Sequence, residues 1–112
     1  MSSDDMHVVM YKILAYLYDC MKKGLEPQAA RIRYDSDMIG PIPERYWCSI
    51  MGQLVDKGLV KGVVIRWFDN EPHVLMADPT VTLEGVEFMQ ENSMMKKALN
   101  FLREAKSTLP FI

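Results

Sequence analysis

The hydrophobic period changes once, abruptly, in the middle of the chain. From Pro43 to Lys57 apolar side chains recur at helical spacing, and from Val63 they alternate. In the stretch PERYWCSIMGQLVDKGLVKG, Trp47, Ile50, Met51 and Leu54 fall on one helical face. Pro43 fits the first helical position, where its missing N–H costs nothing. Lys57 and Gly58 end the run. Ile42 stands where a capping side chain is expected, a loss of about 1 kcal/mol. Beyond Gly62, Val63, Ile65 and Trp67 share one strand face, and Val64, Arg66 and Phe68 share the other. Asp69-Asn70-Glu71-Pro72 reads as a turn, His73 to Ala77 as the returning strand, and Asp78-Pro79 as its stop. A helix feeding directly into a hairpin restricts the chain to an α+β fold.

Residues 5–23 give the clearest helix. Met6, Val9, Met10, Ile13, Leu14, Leu17 and Met21 share one face, Ser2 and Asp5 have capping-box-like spacing, and Gly24 closes the far end. Ala29 to Tyr34 fits either a helical turn or a short extended stretch, and Asp35 or Ser36 can cap one turn through Met38 and Ile39. Thr82 is placed to cap a helix from Leu83 to Glu91, and Ser93 to cap a last helix over residues 94–107. That last helix has a wide apolar face: Met94, Met95, Ala98, Leu99, Phe101, Leu102 and Ala105. It lies either across the first helix or against a second copy of the chain. A single domain over residues 1–112 is expected, with core and hairpin to about residue 80 and a helical extension over 82–108.

The order of elements is that of a winged helix, with the quoted stretch as third helix and the hairpin as wing. TLEGVEF resembles the LT-x-x-G start of the helix after the wing in bacterial winged-helix proteins of the MarR type. SDMIG, DKGLVKGV, DNEPH, TLEGVEFMQEN and KKAL, taken in order, resemble the YjcQ family over residues 9–106. These are small bacterial and prophage-associated proteins of winged-helix fold. EPQAARI is longer than the family pattern. The resemblance implies a fold and carries no activity with it.

Charge argues against an ordinary nucleic-acid binder. Thirteen basic and fifteen acidic residues give a net charge of -2, whereas DNA affinity draws on counterion release by Lys and Arg. Between residues 31 and 73 six basic side chains meet six acidic ones, and the turn of the hairpin is acidic. With Trp47 turned inward, the third helix presents Arg45, Ser49, Gly52, Gln53 and Asp56 outward. Arg45 and Gln53 are the residue types that grip guanine and adenine with two bonds each, Ser49 can donate to a phosphate, and Arg66 can reach DNA from the wing. The expected function is therefore that of a DNA-binding, transcription-regulator-like protein with double-stranded DNA as partner. The alternative is a non-enzymatic protein-interaction or dimerisation module: Phe68 near the turn and Met95, Leu99 and Leu102 on the last helix are the expected anchors, the latter three in a homodimer.

Enzymatic chemistry is not expected. His7 and His73 have no ligand-spaced Cys, Asp or Glu, there is no Cys-x-x-Cys, and no glycine-rich phosphate loop occurs, so no catalytic residue, metal or cofactor is assigned. Cys20 and Cys48 read as reduced thiols. The absence of an apolar run near 18 residues and of a basic-then-apolar start leads to an expectation of a cytoplasmic chain with no membrane partner.

Overall fold

Helix α1, Met6–Lys23, is buried on every side from Val8 to Leu17. Its sequence shows one apolar face, but four other elements close around it: α2 (Glu44–Asp56), β2 (Glu71–Val81), α3 (Leu83–Glu91) and α4 (Ser93–Glu104). Lys12 is caught in this ring and is almost wholly buried, which pushes its pKa down. The computed structural model describes residues 1–107 and 109. It shows an α+β fold of four α-helices and one two-stranded antiparallel sheet, β1 (Val60–Phe68) with β2, around one hydrophobic core. Among the described residues no helix is long and apolar enough to cross a membrane.

The segment between α1 and α2 has no α-helix. Ala29–Ile32 forms a 3-10 turn. The one-turn helix expected near Met38 is instead a hydrogen-bonded turn, in which the Ser36 hydroxyl donates to the Arg31 carbonyl (2.7 Å) and accepts from the Ile39 N–H (3.2 Å). Ile32 and Ile39 hold the segment to the core. The Tyr16 hydroxyl accepts from the Gln28 N–H at 2.9 Å and fixes its start.

α2 begins without a side-chain cap, but Pro43, expected as the first helical residue, is itself the cap position and Glu44 opens the helix. Its inward face is Trp47, Cys48, Ile50, Met51 and Leu54. Gly58, at φ 69°, turns the chain out, and the Leu59 N–H bonds back to the Leu54 carbonyl at 2.9 Å.

The hairpin is longer than the sequence suggests. Asp69 and Asn70, both at positive φ, make a two-residue turn closed by the pair Phe68 and Glu71. Asp78-Pro79 does not end β2. The register shifts between Lys61/Thr80 and Val63/Met76, and Gly62 (φ 78°) and Asp78 (φ 53°) form an irregularity that takes up Pro79 before pairing resumes to Val60/Val81. A residue with no N–H is tolerated where the ladder is already broken.

Thr82 caps α3 as expected, accepting from the Gly85 N–H at 3.0 Å, and its hydroxyl donates to the Gly58 carbonyl at 2.6 Å. α4 differs. Its cap is Asn92, whose side-chain oxygen accepts from Met94 N–H (2.9 Å) and Met95 N–H (3.2 Å), and Ser93 is the first helical residue. α4 ends at Glu104, short of the expected 107, and Thr108 lies outside the described residues.

Candidate interaction site

β1 and β2 run back alongside α2, so that the hairpin's turn lies beside the first turns of that helix. The Pro72 carbonyl sits 3.9 Å from the Cys48 sulfur. Between them is a groove of about 420 Å³ lined by Arg45, Cys48, Ser49, Gly52, Gln53 and Asp56 on the helix side and Ile65, Trp67 and Pro72 on the hairpin side. A smaller recess of about 200 Å³ shares Arg45, Cys48 and Pro72 and continues to Glu44 and Glu71.

The anchor of this geometry is Trp47. Its indole N–H donates to the Ile32 carbonyl at 2.8 Å, and its ring meets Tyr34 with centroids 5.7 Å apart. With the indole held inside, helical spacing turns Arg45, Ser49 and Gln53 to solvent, where all three are exposed. With Gly52 and Asp56 they form one wall of the groove. The Ser49 hydroxyl is turned back onto the Arg45 carbonyl at 3.2 Å.

Arg66 does not join them. It pairs with His73 across the ladder, on the hairpin face turned away from the groove. The alternation that gives Ile65 and Trp67 to the groove sends Arg66 to the other side. Arg66 is exposed there, on the other side of the hairpin from Arg45, Ser49 and Gln53.

The apolar anchors also need redistribution. Met95 and Leu102 are 0% and 2% exposed, packed inside the chain where α4 crosses α1, so neither is a contact for a second copy. Leu99 is half-buried at the rim between the same helices. Phe68 is 56% exposed, its ring tilted against His73 at 5.2 Å. Trp67, placed by the sequence on one strand face with Val63 and Ile65, is 64% exposed. That face is covered at Val63 and opens progressively toward the turn, because the groove separates the hairpin from α2 there. On the opposite face Val64 (43% exposed) and its partner Leu75 (51% exposed) add to the apolar surface. The alternating pattern contained the signal for which residues share a face, and none for which stretch of that face is covered.

The larger groove is electrically balanced. Among the described residues Arg45 and Asp56 are its only charged groups, one of each sign. Asp69 and Glu71 make the hairpin's end acidic, and Glu44 opens α2 with a third carboxylate. Burial, helped by the negative charge of Glu44, holds the Cys48 thiol above its ordinary range. It is thus a protonated, weakly polar patch of the groove floor, poorly suited to nucleophilic attack. Among the described residues no three His, Cys, Asp or Glu side chains are grouped to hold a metal ion.

No curated protein and no solved structure matches the chain. A family model described as YjcQ protein matches residues 11–108, nearly the whole chain from the first turns of α1 to beyond α4, and the chain belongs to that family.

Proposed function

We propose that the chain is a non-enzymatic winged-helix module of the cytosol whose working surface is α2 with its hairpin, and whose partner is a protein segment. The winged-helix reading is supported by element order: α1, a short turn-rich segment, α2 in the place of a recognition helix, then a hairpin in the place of a wing. The observation that carries the choice of partner is Trp67, a large aromatic standing exposed on the hairpin wall of a charge-balanced groove, with Phe68 exposed on the opposite face of the same strand. Exposed aromatic side chains next to a concave apolar surface are typical anchors of protein contacts. A duplex, by contrast, would bring phosphates against Asp69, Glu71 and Glu44.

Duplex DNA is kept as a second reading for one observation: Arg45, Ser49 and Gln53 line up, exposed, along a single face of α2. In that reading the chain is a regulator, and Ser49 rotates away from the Arg45 carbonyl to reach its target.

Panning a random peptide library against the immobilised chain, with Trp67→Ser as counter-selection, tests the proposal. Enrichment of peptides sharing an apolar anchor, lost on Trp67→Ser, is the expected result. No enrichment, together with a mobility shift of mixed duplex fragments that weakens steeply with salt and is lost in Arg45→Ala, would transfer the function to DNA.

A further inference from the structure

The exposed end of the hairpin and a second groove, far from it on the molecule, are complementary in both charge and chemistry. The end of the hairpin, Trp67 to Pro72, carries two aromatics and two carboxylates, Asp69 and Glu71, with no cation between them. The second groove, about 280 Å³, lies where α1 meets α3 and α4. Its apolar surface comes from Tyr18, Met89 and Leu99, and Lys22 and Lys96 stand at its edge. The Lys22 ammonium lies 4.7 Å from the centre of the Tyr18 ring. Arg103 extends the positive edge, close enough for its charge to act on the Tyr11 phenol that also lines the groove. Among the described residues the one carboxylate there, Asp19, is already engaged by Lys23 at 3.0 Å. The groove therefore shows net positive charge around an apolar floor.

The two features cannot meet within one molecule. The hairpin's end is seated beside Cys48 at the start of α2, whereas the groove lies on the side of α1 that faces α4.

We propose that the end of the hairpin of one copy docks in the α1–α4 groove of a second copy, with Phe68 as apolar anchor and Asp69 and Glu71 against Lys22 and Lys96. This rests on the reading of the hairpin as a protein-docking element and names its occupant. Because the two surfaces are different, each contact leaves one free hairpin end and one free groove, and assembly continues head to tail into rings or filaments instead of stopping at a two-fold dimer. The volume, close to the lower bound of about 300 Å³ for ligand pockets, suits one aromatic side chain. Contact through partly exposed charges weakens with salt.

Sedimentation velocity over a concentration series, at low and at physiological salt, tests this. The wild-type chain is expected to form species larger than a dimer that shrink as salt rises. Phe68→Ser and Lys96→Glu, both changes at exposed positions, should each weaken self-association about tenfold or more. An equimolar mixture of the two should recover a 1:1 dimer and nothing larger, because each variant keeps the half that the other lacks. A wild-type chain that stays monomeric at low salt, association unaffected by either change, or a mixture no larger than its parts would each overturn the proposal. A monomeric chain that still selects peptides through Trp67 would end self-docking alone. Failure of the peptide selection with self-association intact would instead remove the α2 groove from the account.

Discussion

Trp47 fixes the direction of every side chain on α2 through a single buried bond, from its indole N–H to the Ile32 carbonyl. Trp47→Phe keeps most of the apolar surface and leaves that carbonyl without a partner. Urea unfolding should show a loss of about 1–3 kcal/mol, and an unchanged midpoint would mean that the indole bond does not hold the helix. The inward stripe Trp47, Ile50, Met51 and Leu54 was legible in the sequence because helical spacing alone defines it. Its partner was not, because the direction of a carbonyl in an irregular segment such as 29–34 is set by tertiary contacts. Tyr11 gives a second prediction at this scale. Burial raises its pKa, with Arg103 pulling the other way. The unfolded chain loses that proton near pH 10, where the folded chain still holds it. The native state then binds more protons than the unfolded one, so stability falls as pH rises through this range. In Tyr11→Phe the alkaline decline should be shallower; an identical slope would mean that the phenol does not contribute.

At the scale of elements, two glycines answer the same substitution with opposite signs. Gly52 sits mid-helix on α2 with nothing within 4 Å of where a Cβ would stand. Gly52→Ala should stabilise by about 0.5–1 kcal/mol through helix propensity, while placing a methyl group in the groove and weakening peptide binding. Gly62 has φ 78°, and its Cβ would fall 2.6 Å from the Ala77 carbonyl. Gly62→Ala should destabilise by about 1–2 kcal/mol or more, read as a lower thermal midpoint. Equal effects at the two positions would contradict the register described for the hairpin. The sequence showed the hairpin's turn and alternation but ended β2 at Ala77, since Asp78-Pro79 is a stop signal wherever no irregularity is there to take it up. Gly62 marked that irregularity on the facing strand, but its link to Asp78 depends on pairing across the ladder. The cap of α4 was placed one residue late for a similar reason: Asn92 and Ser93 are both capping residue types, and only backbone geometry decides between them.

For the whole molecule, the sum of charges was legible and their distribution was not. The even balance between residues 31 and 73 persists around the α2 groove, while the α1–α4 edge gathers Lys22, Lys96 and Arg103 and the hairpin's end gathers Asp69 and Glu71. The wide apolar face of α4 is mostly consumed inside the chain, and among the described residues half of the exposed large apolar side chains, Val64, Trp67, Phe68 and Leu75, lie on the hairpin. The central claim is that this hairpin and α2 receive protein and not DNA. The two indoles report on it separately, since Trp47 is buried and bonded and Trp67 is exposed in the groove. The direct measurement is the pair of indole N–H resonances in a nitrogen-15 spectrum, recorded with a peptide from the panning and with a mixed-sequence duplex. The account predicts that the peptide moves the Trp67 resonance and leaves Trp47 in place, and that the duplex moves neither at physiological salt. A saturable shift of Trp67 by the duplex, with no response to the peptide, would contradict it.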